Sequence, residues 1–314
     1  MRLEDKSKDN TTRIAIHGLS GTGKSTLMSK LAEKYFLHWI TFENDSDILL
    51  KLPREYWKNI NLIEIPDSAV FPVACDTMMK LLKSGAGNIC HKHGIFECPI
   101  CKKGAPKDFS FIDLTTLNPA RDIVCIDSGS QLSQSILAHT TKGQPVDYKP
   151  EWDDWGSIRK ISEFFASQWQ SSKFNLVVTF HSIEAELEDG RTKLVPAFGS
   201  KDFSSKIAKA FSHVVYTDVK NKEHSAYSSS TYSNTVLTKS RTDFCIEKLD
   251  VPSLIPLFLE NEISSEEVNP ISEGGYKAVV KEQTPEINKE SQETKASTAT
   301  KSSLLNIKAR LGKK

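Results

Sequence analysis

Several things are missing from this sequence, and each absence narrows what the chain can be. No apolar run reaches the roughly 18 residues that a membrane-spanning helix needs, so no membrane partner is expected. The first ten residues, Met1 to Asn10, are charged and hold no apolar stretch of the secretion-signal type, so the expected compartment is the cytoplasm. Net charge is nearly absent at +1, which leaves any contact with a polyanion to local patches. Internal repeats are absent too. Beyond Glu260 the aromatics dwindle to Tyr276 alone, and Ser/Thr/Glu/Lys text of that kind cannot bury enough apolar surface to order itself. Cysteine is scarce, at six, yet Cys90, Cys98 and Cys101 crowd into one short stretch. In an unsecreted chain that clustering points to a metal before a disulfide.

What is present is a pattern of short apolar runs alternating with helical periods. Hydrophobic residues make up 38% of the 314, enough for a sizeable core. Runs at Thr12–Ile16, His38–Phe42, Asn61–Ile65, Asp122–Ile126 and Asn175–Phe180 read as buried strands, with further strands at His213–Thr217 and Thr235–Thr238. Lys24–Tyr35, Val73–Lys83 and Trp155–Trp169 have helical spacing. Strands alternating with helices predict an α/β domain, with a mainly parallel sheet flanked by helices. Its expected span is residues 1–259, with residues 84–108 as a Gly-, Lys-, His- and Cys-rich insertion. Residues 260–303 read as a disordered acidic linker and 304–314 as a basic amphipathic end.

Gly18-Leu-Ser-Gly-Thr-Gly-Lys24-Ser25 fits G-x-x-x-x-G-K-[ST] between a strand and a helix, the context a P-loop requires. Glycines let backbone N–H groups approach phosphates, and the helix start adds a favourable dipole. Gly18, Ser20, Gly21, Thr22, Gly23, Lys24, Ser25 and Thr26 are the expected nucleotide-binding residues. Lys24 would reach the β- and γ-phosphates of ATP, and the Ser25 hydroxyl would coordinate Mg²⁺. Asp122–Asp127 is an apolar strand ending in a carboxylate, the form of a Walker B strand, so Asp127 is expected in the Mg²⁺ shell. Alone, such an Asp could equally cap the next helix.

The order of Walker A, a strand ending in Glu, Walker B and a strand ending in a polar residue resembles the RecA-like ATPases. It is most similar to the short phage-encoded RecA-like recombination ATPases associated with single-strand annealing. The residues carrying the resemblance are Gly18–Thr26, Ile40–Glu43, Ile123–Ser128, Asp154-Trp-Gly156, Val177–His181 and Thr238–Arg241. It implies that Glu43 orients the attacking water, and that His181 senses the γ-phosphate and relays to a DNA-binding loop. Lys239 and Arg241 would reach the neighbouring subunit's nucleotide site in a homo-oligomer. Ser182–Lys206 matches the position of a mobile DNA-contacting loop, where Arg191, Lys193, Phe198, Lys201 and Lys206 could hold a single strand by charge and stacking. Glu184, Glu186, Glu188 and Asp189 in the same segment repel phosphate.

Cys90-x-x-His93-x₄-Cys98-x-x-Cys101 offers four ligands suited to tetrahedral Zn²⁺, with His91 competing for the place of His93. A closed four-ligand site has no open position, so a structural zinc knuckle is expected. At the far end Leu304, Ile307 and Leu311 line one helical face beside Lys308, Arg310, Lys313 and Lys314. That end is expected to fold on a replication or single-strand-binding protein. Together these features predict an ATP-hydrolysing, single-stranded-DNA-binding protein of recombination, annealing or repair, in the host cytoplasm if phage-encoded. The rival readings are a replicative helicase or helicase loader, and a nucleotide-gated adaptor.

Overall fold

The computed structural model describes residues 11–43, 46–101, 108–145, 147–186, 190–228, 234–240 and 253–258. The linker at 260–303, the basic end and Arg241 lie outside them. Ten strands are named in chain order: β1 (Arg13–Gly18), β2 (Phe36–Thr41), β3 (Ile60–Glu64), β4 (Ala86–Cys90), β5 (Phe109–Asp113), β6 (Asp122–Asp127), β7 (Asn175–Glu186), β8 (Thr192–Pro196), β9 (His213–Lys220) and β10 (Glu223–Tyr227). The helices are α1 (Lys24–Ser29), α2 (Asp47–Leu50), α3 (Arg54–Trp57), α4 (Ala74–Ser84), α5 (Gly129–Thr140), α6 (Trp152–Gln170) and α7 (Lys201–Lys206).

The main sheet runs β10-β9-β1-β7-β6-β2-β3. All neighbours are parallel except the β9–β10 hairpin at one edge. This is the mainly parallel sheet flanked by helices expected from the alternating pattern. Each central strand is apolar on both faces because helices cover both. Along β6, Ile123 and Cys125 face one core while Val124 and Ile126 face the other. Helices α4 to α7 pack on the second of these faces; α1, α2 and the short turn Leu254–Phe258 pack on the first. No helix among the described residues is long and apolar enough to cross a membrane.

Helix α5 has only Leu132 and Ile136 as large buried apolar residues, in a serine-rich stretch whose period is too weak to read. Ser128 makes the helix possible by accepting a hydrogen bond from the Gln131 amide at its start. Helix α6 opens with a capping box between Glu151 and Asp154, and Tyr148 donates to the Asp154 carboxylate. The Asp154-Trp-Gly156 motif therefore serves a helix start, with Trp155 partly exposed.

Three expectations are corrected. Thr235–Thr238 is not a strand of its own but a segment held by single bridges, Leu194 to Val236 and Val214 to Lys239. The carbonyl of Leu237 in its middle is taken by a side chain, the imidazole of His17, instead of a ladder partner. Ser182–Lys206 is largely regular structure: β7 runs on to Glu186, pairs antiparallel with β8, and α7 follows. Phe198, expected to stack on bases, is 1% exposed and packs with Phe165, Trp169, Phe180 and Phe203. The apolar ring gains more from that aromatic cluster than from water. Phe198→Ala should accordingly cost about 3–5 kcal/mol of stability, read as a shift in the urea midpoint. A surface stacking residue would leave that midpoint unmoved.

Candidate functional site

Parallel strands that end together form a crevice at their carboxyl edge, where ligands of open α/β sheets bind. Here the register sets Gly18 of β1 opposite both His181 of β7 and Thr217 of β9, and Thr41 of β2 opposite Asp127 of β6. The P-loop starts at that edge. Gly18 is required by crowding, since a Cβ there would lie 2.4 Å from the Thr217 hydroxyl. Gly23 is required by its backbone, at φ 87°. Thr22 closes the loop by donating to the Leu19 carbonyl at 2.8 Å, and its hydroxyl meets that of Thr217 at 2.8 Å.

Lys24 is almost fully buried and donates to the carbonyls of Gly18 (3.2 Å) and Leu19 (2.7 Å). Burial pushes its pKa down, opposed by the negative charges of Asp127 and Glu43. Asp127, equally buried, accepts hydrogen bonds from Thr179 (2.5 Å) and Ser25. Burial pushes the Asp127 carboxyl up; the bonds from Thr179 and Ser25 oppose that, Glu43 adds to it and Lys24 offsets it. Glu43 stands two residues past the end of β2, where its Oε1 accepts from Ser128 Oγ at 2.7 Å. Ser128 in turn accepts from the Gln131 amide at 3.2 Å, so its single hydroxyl proton is committed to Glu43. A cation, two carboxylates and a hydroxyl therefore converge beside a loop shaped for phosphate. Ser25 and Asp127 together form a hard oxygen pair of the kind Mg²⁺ prefers.

His181 ends the straight part of β7 beside the P-loop. Its amide donates to Ser130 Oγ at 2.9 Å and its carbonyl accepts from Ala197 at 2.8 Å. The Lys239 ammonium donates to the carbonyls of Ala208 (3.2 Å) and Phe211 (2.7 Å) of its own chain. Those carbonyls lie at the end of a 3₁₀ turn and attract a cation. Sequence reasoning missed Thr179, Ser128, Thr217 and His17. Only the Ser after the Walker B Asp carried any signal, as a helix-capping residue type.

His17 lies one residue before the P-loop and is fully buried. Its Nε2 meets the Leu237 carbonyl at 2.8 Å and its Nδ1 meets Ser182 Oγ at 2.9 Å. Burial pushes its pKa down to about 4; the bond to Leu237 opposes this and the Lys24 charge adds to it.

The insertion folds as the β4–β5 hairpin with the Cys/His loop at its end. Cys90, His93, Cys98 and Cys101 offer ligand atoms that all lie within 4.8 Å of one another. His93 Nδ1 is 3.8, 3.7 and 3.3 Å from the sulfurs of Cys90, Cys98 and Cys101. Ligand atoms on a tetrahedron at zinc bond lengths stand about 3.5–3.8 Å apart, so the set fits zinc. His91 is not in the set: its Nε2 meets Ser110 Oγ at 2.8 Å instead.

Two outcomes are expected. Elemental analysis of protein purified without chelators should give about one zinc per chain, retained in His91→Ala and lost or strongly weakened in His93→Ala. Stability should also fall with acid. The unfolded His17 takes up a proton near 6.5, whereas the folded one resists it down to about 4. Its contribution, about 3 kcal/mol by linkage, is complete above pH 6.5 and disappears as the pH drops to about 4. His38, lowered chiefly by burial, steepens the slope, and Asp127 acts in the opposite sense. Urea midpoints of wild type and His17→Gln between pH 7 and 4.5 isolate the His17 share, and parallel profiles would refute it.

Residues 10–242 match the model of a family described as AAA domain. No curated protein matches the sequence. A KaiC-like protein of Pyrococcus horikoshii OT3 is 14% identical, with 69% of this chain and 76% of that one covered, at a TM-score of 0.32. The flagellar accessory protein FlaH of Methanocaldococcus jannaschii is 12% identical over 72% of this chain and 81% of its own, at 0.33. The RadB recombinase is 12% identical over 69% and 79%, at 0.38. At such identities and scores these likenesses say nothing of substrate or partner. The family match spans most of the chain and takes in the P-loop, Glu43, Asp127 and His181, and the chain therefore belongs to the AAA domain family.

Proposed function

We propose that the chain hydrolyses ATP at the P-loop and couples this to single-stranded DNA in recombination, annealing or repair, as a homo-oligomer of the phage-encoded RecA-like type. The observation that carries the hydrolysis reading is the Glu43–Ser128 hydrogen bond beside Asp127 and Lys24. A carboxylate acting as general base must be ionised and aimed. Ser128 donates to Glu43 and so fixes its direction. Lys24 meets phosphate charge, at the cost of exchanging its bonds to the Gly18 and Leu19 carbonyls. Ser25 and Asp127 would hold Mg²⁺, which would supply charge neutralisation to the phosphates. Thr179 fixes the Asp127 carboxylate from behind.

Support for the DNA reading is the resemblance together with exposed cations on the β7–β8 hairpin and α7, of which Arg191 and Lys201 face solvent. Lys206 is the weaker contributor, since Asp202 pairs with it at 2.9 Å. Binding would rest on phosphate charge rather than on stacking by Phe198. In this reading zinc is structural, and the basic end at 304–314 docks on a replication or single-strand-binding protein.

The test is the ATPase rate with and without single-stranded DNA. Wild type should turn over and be stimulated by DNA, and Lys24→Ala should not turn over. Glu43→Gln should bind ATP but hydrolyse it about a hundredfold or more slowly. Turnover of Glu43→Gln near wild type removes the general-base role, and a rate indifferent to DNA removes the DNA reading while leaving the ATPase.

A further inference from the structure

The hydrolysis reading leaves His17 unused, although this side chain abuts the P-loop and is wholly buried. Its hydrogen bonds define its chemistry. The Leu237 carbonyl can only accept, so Nε2 carries the ring proton and donates at 2.8 Å. Nδ1 is then a bare lone pair, and Ser182 Oγ must donate to it at 2.9 Å. The ring also lies 5.2 Å from that of Tyr216 on β9. The hydroxyl of Thr217, next along β9, lies 3.3 Å from the His17 carbonyl.

Both ring bonds lead to one place. Ser182 is the residue after His181, where β7 leaves the sheet and enters the β7–β8 hairpin. Leu237 donates its own amide to Leu194 of β8 at 2.9 Å. The imidazole thus grips the hairpin by both strands, directly at Ser182 and through Leu237 at β8. A buried histidine with packing duty alone would be satisfied by any two groups. This one spans from the residue before Gly18 to the two halves of a single cation-bearing element.

We propose that His17 is a positioning residue that transmits phosphate occupancy at the P-loop to the β7–β8 hairpin. The inference rests on the ATP reading of the same site and names the route by which that site governs its DNA element. Lys24 holds the carbonyls of Gly18 and Leu19. A triphosphate competes for the same ammonium protons and frees Gly18, the residue bonded to His17. A close-packed interior has no slack to absorb movement of the ring, so its two directional bonds pass the change to Ser182 and Leu237. Coupling of this kind requires that both ends bias the same element, which is what the experiment measures.

The probe is the β,γ-imido analogue of ATP with Mg²⁺, applied to the full chain, with hydrogen–deuterium exchange read over residues 182–186 and 192–196. In wild type, bound analogue should change exchange of both strands by at least threefold. Ser182→Ala should bind the analogue within about twofold of wild type, by equilibrium dialysis, and lose that change. Ser182→Thr, which keeps the hydroxyl, should restore it. His17→Leu, which removes both ring nitrogens at similar bulk, should lose the change as Ser182→Ala does if it still binds the analogue. A full response in Ser182→Ala overturns the inference, as does an unresponsive hairpin in wild type carrying bound analogue. If wild type fails to bind the analogue at all, the ATP reading falls first and the inference with it; dialysis tells this apart from a broken relay.

Discussion

Parallel pairing of β1 with β7 is the constraint on which the rest depends. That ladder sets Gly18 beside His181 and, with β9 on the other side, Thr217 beside Gly18. The P-loop can then turn against side chains from two neighbouring strands. A slip of one residue would turn every β1 side chain to the opposite face, exchanging Ala15 for Ile14 and Ile16 between the two cores. The apolar filling of both faces therefore holds the phosphate loop in register. Burial fixes the site, and not the reverse.

Charge is the second constraint. Lys24 and Asp127 are both buried at the carboxyl edge of the sheet, where an isolated ion would be costly. Each is tolerated because the other is near and because hydroxyls and carbonyls satisfy it: Gly18 and Leu19 for the lysine, Thr179 and Ser25 for the aspartate. Glu43 joins them while partly exposed, directed by Ser128. The hydrogen bonds of Asp127 and Glu43 hold both carboxylates in place, which limits the reorganisation that the reaction must bear.

The Cys/His cluster follows a different logic. It sits at the end of a two-stranded hairpin too small to bury a core of its own, and such a hairpin is marginal in water without support. Four converging soft ligands can supply that support by binding a metal. Its attachment to the domain is through Ser110, which donates to the Leu62 carbonyl of β3 at 3.0 Å, and through Thr77 of α4, which donates to Gly94 at 2.7 Å.

Local patterning was enough to read the P-loop, the Walker B strand, the parallel α/β class and the candidate metal ligands, because each depends on residues close in sequence. It could not separate His91 from His93, since that choice depends on Ser110, nineteen residues on along the chain, occupying one of them. Nor could it place Phe198: an aromatic among cations suits a nucleic-acid surface equally well until α6 and β7 close over it. Local patterning gave no sign that Lys239 would meet two carbonyls at the end of a 3₁₀ turn. His17, Thr179 and Ser128 carried little local signal, because each acquires its role from a partner 52 to 220 residues away. Hydrogen bonds and burial over such separations exist only once the sheet has formed, and that is why tertiary structure alone assigned them.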